Sequence, residues 1–127
     1  MIDELLNNKN VNILGTDYKL MFVKSGIDYE ILPKDMDGLC DNDNKTLYIN
    51  NSYLHDSNDS RFTNNPESYM MRTIRHEIIH AFLHCSGLNN CCYKSRGSWA
   101  ENEEMVDWIA IQFTKISKVF IELGIDE

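Results

Sequence analysis

His76, Glu77 and His80, within "RTIRHEIIHAFLHCSG" (Arg72 to Gly87), are the residues whose types and spacing could do chemistry. Two histidines four positions apart on a helix lie one turn apart, and both rings project the same way. That spacing lets two imidazole nitrogens reach one Zn²⁺ at about 2.0–2.1 Å. Glu77 follows the first histidine and points beside such an ion, where it can take a proton from a metal-bound water. The pattern is H-E-x-x-H, and the spacing is what that chemistry requires.

A helix advances about 100° per residue. With His76 at zero, His80 lies about 40° round, Thr73 about 60°, His84 about 80° and Glu77 about 100°. These polar groups form one stripe. Met71, Ile74, Ile78, Ala81, Phe82 and Cys85 are expected on the opposite, buried side. His84 is excluded as a partner in the same metal site, since it lies about 12 Å along the axis from His76. It reads as a group behind the site or facing solvent.

A third ligand must come from elsewhere. Ser86 stands six residues past His80, and no histidine follows His84, so neither a near nor a distal third histidine completes the set. His55 is a weak upstream candidate. The segment "WAENEEMVDWIAIQF" (Trp99 to Phe113) carries Glu101, Glu103, Glu104 and Asp107. Its apolar side is expected at Val106, Ile109, Phe113, Ile116 and Phe120. Glu103 borders that side and is the expected third ligand, whereas Glu104 falls among polar neighbours. Asp107, one turn on, can bond a ligand imidazole from behind and fix its tautomer. The competing reading makes these acids solvated charges of a helix start, where the helix dipole favours them.

The elements that must position these groups are legible in outline. "YKLMFV" (Tyr18–Val23) reads as a strand, and "YEIL" (Tyr29–Leu32) as a second one stopped by Pro33. "CDNDNKTLYIN" reads as a tight Asp/Asn turn followed by a strand over Thr46–Asn50, with Leu47 and Ile49 on one face. Residues 51–65 are polar and read as a loop. Asn65 before Pro66 starts a helix that runs to about Cys85, with Gly87 as its left-handed stop. After the loop "GLNNCCYKSRG", "SWAE" (Ser98–Glu101) opens a second helix as a capping box, and Gly124 ends it after Leu123. Strands followed by helices make one α+β domain over residues 1–127, with a short mixed or antiparallel sheet.

Charge and composition narrow the partners. The net charge is −8 over 127 residues. Nucleic acid and anionic membrane both call for clustered Lys and Arg, so neither is expected as a partner. No segment has the length of a membrane span, and "MIDELLNNKN" lacks the apolar core of a secretion signal, so a cytoplasmic location is expected. Cys40, Cys85, Cys91 and Cys92 form no C-x-x-C pair and read as reduced thiols. A second metal site using Cys85, Cys91 and Cys92 is the lesser alternative.

"HEIIH" followed by "NEEMVD" resembles the gluzincin arrangement, in which two histidines precede an N-E-x-x-x-D segment. "KTLYIN", "HEIIHAFLHCSGL" and the small size resemble the ImmA/IrrE-like and related phage-type minimal zincins. The similarity covers about residues 38–113. It implies a zinc-dependent peptidase with a small mixed sheet above the active-site helix, ligands His76, His80 and Glu103, and Glu77 as the base. It also implies a protein or peptide substrate, in some such proteins a regulatory repressor, and pairing of an extended substrate with a sheet edge at Thr46–Asn50. Tyr93 is within reach in sequence as a transition-state stabiliser, but that role stays unassigned. A non-catalytic, zinc-stabilised protein-binding module shares the same ligands. A metal-free packing domain is the plain alternative.

Overall fold

The start of Thr16–Val23 alternates in the way that makes a strand: Tyr18 and Leu20 are buried while Asp17 and Lys19 face water, and Val23 is buried at its end. That half-polar pattern gives one face to a core and leaves the other wet. The computed structural model describes residues 2–24, 31–33, 35–62, 64–87 and 102–124. Over these, the chain runs α1 (Ile2–Leu6), β1 (Asn10–Ile13), β2 (Thr16–Val23), β3 (Gly38–Asp41) and β4 (Thr46–Asn50). A short 3₁₀ turn (Ser52–His55), α2 (Pro66–Cys85) and α3 (Glu103–Leu123) follow.

The four strands form one mixed sheet in the order β1-β2-β4-β3. β1 and β2 are antiparallel, β2 and β4 parallel, and β3 and β4 antiparallel. A short first helix that the sequence reading did not include, four strands and then two long helices give an α+β fold, as the sequence suggests. β4 spans the same residues as expected, but it is interior, not an edge. The edge beside α2 is β3, a strand that the sequence reading absorbed into a turn. The turn itself follows it: the Asp41 carboxylate accepts from the Asn44 amide at 3.0 Å, and Lys45 takes a positive φ of 52°.

Leu47 and Ile49 of β4 are fully buried with Ile13, Tyr18 and Leu20 against Tyr53, Leu54, Met70, Ile74 and Ala81. Each buried Leu, Ile or Met among them contributes about 1.5–3 kcal/mol by leaving water. On α2 the buried positions are Met70, Thr73, Ile74, Glu77 and Ala81. Met71 and Phe82, expected inside, are 40% and 38% exposed. The buried stripe is rotated toward Thr73 and Glu77 because the sheet covers that side of the helix.

Both ends of α2 are locally encoded. The Asn65 side chain accepts from the Ser68 amide at 3.1 Å, and Pro66 occupies the first turn. Gly87, at φ 87°, ends it, with its amide donating to His84 O at 3.0 Å. The start of α3 differs from expectation. Its cap is Asn102, whose side chain accepts from the Met105 amide at 2.8 Å. The Ser98–Glu101 pattern lies outside the described residues, as do Cys91, Cys92 and Tyr93. The other end of α3 is as expected, with Gly124 in the left-handed conformation. Of the proposed strand Tyr29–Leu32, Ile31 and Leu32 sit in a turn and a bend, and the first two residues are not described. Pro33 lacks the amide a ladder needs, yet Leu32 is fully buried and serves the core instead.

α3 meets α2 through Val106 and Ala110, both fully buried. The Arg75 guanidinium donates to Ala110 O at 2.8 Å and ties the two helices. Ile109 is half-buried, but the rest of the expected apolar side of α3 is wet: Phe113, Ile116 and Phe120 are exposed, as are Trp108 and Ile121.

Candidate metal centre

The register just described brings two imidazoles of α2 to the first turn of α3. His76 Nε2 lies 3.1 Å from His80 Nε2 and 2.9 Å from Glu103 Oε2. His80 Nε2 is 3.2 Å from Glu103 Oε1. The two rings stand edge to face with centroids 4.8 Å apart. Among the described residues, these three side chains form the one group of three or more donors whose ligand atoms all lie within 4.8 Å. His84 and His55 are not part of it; His55 instead lies 3.9 Å from the buried Asp3 carboxylate.

The donor set fits a divalent cation. Ligands about 2.0–2.1 Å from a tetrahedral zinc stand roughly 3.3 Å apart, close to the separations found here. Two imidazoles and one carboxylate are also a donor set that zinc accepts while keeping a fourth position open. Behind the site, His76 Nδ1 lies 3.1 Å from Asp107 Oδ1. A proton shared there resides on Nδ1, which leaves the Nε2 lone pair facing Glu103 and His80.

Glu77 differs from the exposed Glu103. It is 6% exposed and lies under β3. Burial is the main cause that pushes its carboxyl up to about 7, and the charges of Glu103 and Asp37 act the same way. His76 and a backbone hydrogen bond from Cys40 oppose the shift. The approach of β3 is close. A Cβ on Gly38 would lie 2.7 Å from Glu77 Oε1 and 2.8 Å from its Cγ. Only glycine lets the strand cover the carboxylate at this distance.

β3 is itself held from behind. Asn50 is fully buried at the end of β4. Its amide donates to Asp37 O at 2.8 Å, and its side chain donates to Met36 O at 3.2 Å. The Asp37 carboxylate accepts from the Tyr69 hydroxyl in a short hydrogen bond and from Arg61 at 3.3 Å. Arg61 also grips Asp59 through Nε and Nη2, at 2.9 and 2.7 Å. Sequence reasoning missed Gly38, Asp37, Asn50 and Tyr69. The one available signal was a lone glycine within "MDGLCD", which in a strand marks close backbone approach.

A cleft of about 580 Å³ opens between β3, α2 and the start of α3. It holds the three donors, Glu77 and Asp107, and its other walls include Asp37, Leu39, Tyr69 and Arg72. Its size suits a small ligand or a short stretch of peptide.

Compared with known proteins, the chain matches no family model, no curated protein and no solved structure. The chemistry of the site therefore has to be argued from its own residues. Cys40 and Cys85, the described cysteines, are both free thiols. Cys40 lines the cleft, and burial pushes its thiol up to about 12. Among the described residues no helix is long and apolar enough to cross a membrane.

Proposed function

We propose that this chain is a zinc-dependent peptidase, with His76, His80 and Glu103 holding the ion and Glu77 as general base. The observation that carries the reading is the convergence of those three donors beside a carboxylate buried in the same cleft wall. The likeness of "HEIIH" and "NEEMVD" to gluzincins, carried by the same residues, points the same way.

Bound zinc would supply Lewis acidity, lowering the pKa of a coordinated water toward about 7 and polarising a carbonyl oxygen. The chain's own residues do the rest. Glu77 accepts a proton from the attacking water on a carboxylate oxygen and later gives it to the leaving amine nitrogen as the C–N bond breaks. Asp107 keeps the His76 proton on Nδ1. β3 ends the sheet, so its outer backbone groups can pair with an extended peptide laid along the cleft. The substrate is accordingly a protein or peptide, and the chain acts in the cytoplasm, where its thiols stay reduced.

The test is metal analysis joined to turnover. Purified protein should hold one zinc per chain, and His76→Ala should lose it. Glu77→Gln should keep the zinc and lose about 10²–10⁴-fold in peptide hydrolysis. Undiminished hydrolysis by Glu77→Gln would remove Glu77 from the mechanism.

The exposed apolar residues of α3 favour a second reading, a zinc-stabilised module that binds another protein without cleaving it. It predicts that chelation lowers the melting temperature while no peptide or partner is ever cut.

A further inference from the structure

Arg72 stands apart from the other described arginines. Arg61 is engaged by Asp59 and Asp37, and Arg75 by the Ala110 carbonyl. The Arg72 guanidinium carbon instead lies over the Tyr69 ring, 4.9 Å from its centroid. Among the described residues no carboxylate forms an ion pair with it, although the chain carries twenty acidic residues and a net charge of −8. It is also the one Lys or Arg among the described residues that line the cleft, whose acids are Asp37, Glu77, Glu103 and Asp107.

A cation–π contact uses none of the guanidinium's N–H donors, so they stay available to an acceptor. Their fork matches a carboxylate with two parallel hydrogen bonds. The platform beneath is rigid, since the Tyr69 hydroxyl is bonded to Asp37 and Asp37 to Arg61. Arg72 and the three donors line the same cleft, with Arg72 on the side toward the start of α2. Arg72 precedes His76 by four residues, about 6 Å of rise. One or two residues of extended peptide span a similar length, at about 3.3–3.6 Å each.

We propose that Arg72 is the specificity-determining residue of the cleft and receives a substrate carboxylate one or two residues from the scissile bond. This assignment rests on the peptidase reading for the word substrate, and it deepens it: the preferred peptides are acidic at that position. The carboxylate comes either from a free C-terminus or from an Asp or Glu side chain.

The experiment reads binding, so it does not depend on turnover. Zinc-loaded protein is titrated calorimetrically with benzylsuccinate, a dicarboxylate, and with hydrocinnamate, its monocarboxylate analogue. The expected result is binding of the dicarboxylate at least tenfold tighter. Arg72→Gln should erase the difference, and Arg72→Lys, which keeps the charge but not the fork, should restore part of it. Zinc content and thermal melting check that the variants fold. Equal affinities, a preference that survives in Arg72→Gln, or no dicarboxylate binding to zinc-loaded protein would each overturn the assignment.

Two peptide pairs then identify the source, both measured as binding to zinc-loaded Glu77→Gln. Preference for a free acid over its amide points to the C-terminus; preference for Asp over Asn points to a side chain. A preference in neither pair overturns the proposal. The two readings fail separately. Arg72-dependent dicarboxylate binding with no cleavage of any peptide would sink the peptidase and leave the anion site. Cleavage without acid preference would do the reverse.

Discussion

Gly38 covers Glu77 so closely that a single added methyl would lie 2.7 Å from the carboxylate oxygen. The contact joins a sheet edge to the residue assigned as the base, and it explains why that carboxylate is shut from water. Gly38→Ala must therefore move either the strand or the carboxylate. Overpacking of this kind costs about 1–3 kcal/mol. We expect a lower urea midpoint, unchanged zinc stoichiometry, and at least a tenfold loss of peptide hydrolysis. Normal turnover in a destabilised Gly38→Ala protein would mean that the strand yields and Glu77 is not displaced.

Asp107 makes a separate prediction, because it touches His76 and not the other donors. Its carboxylate fixes the ring by accepting from Nδ1 at 3.1 Å. Removing such an acceptor typically weakens a metal site about 10–100-fold. Asp107→Ala should show that loss in a zinc competition titration. Asp107→Asn keeps an oxygen acceptor and should recover part of the affinity. Equal zinc affinity in all three proteins would leave Asp107 as a solvated helix-start charge.

What the sequence disclosed follows from how local each signal is. The ends of α2 depend on Asn65, Pro66 and Gly87 alone, so they are readable without the fold. The two histidines face together for the same reason: helical geometry fixes their relation. Asn102 caps α3, a start the sequence reading did not pick, because several capping residues lie close together there and local rules rank them poorly. β1 and β3 are four residues each and gain their stability from a neighbouring strand. "NVNI" and "GLCD" carry too little alternation to announce themselves. The burial of Glu77 was invisible too, since it depends on where β3 lies. On α3 the small Ala110 and the Val106 beside it, not the bulky aromatics, allow close approach to α2.

The clamp behind β3 predicts a pH dependence. Hydrogen bonds from Arg61 are the main cause that lowers the Asp59 carboxyl to about 2. In the unfolded chain the group returns to about 3.9. A folded value below the unfolded one stabilises the fold above about pH 4, and that contribution is lost as pH falls toward 2. Asp59→Asn should consequently be less stable than the parent at pH 7, with the gap closing by pH 2. Urea unfolding at pH 7, 4 and 2 measures it. A gap that stays constant with pH would mean that the Asp59 charge contributes nothing.

The exposure pattern of α3 gives opposite expectations for two apolar residues seven positions apart. Val106 is fully buried against α2, whereas Phe113 is 57% exposed. Val106→Ala removes two methyl groups from a packed contact, at about 0.8 kcal/mol per group for transfer plus a cavity term. About 2 kcal/mol is the expected loss. Phe113→Ser touches little in the isolated chain and should change stability by no more than about 0.5 kcal/mol. The same pair reports on the site, because Val106 lies on the turn that carries Glu103 and Asp107. Val106→Ala should weaken zinc binding along with the fold, while Phe113→Ser should leave zinc affinity at the parent value. The reverse order in urea unfolding would mean that the chain in solution buries the aromatic face of α3 and not the Val106 contact.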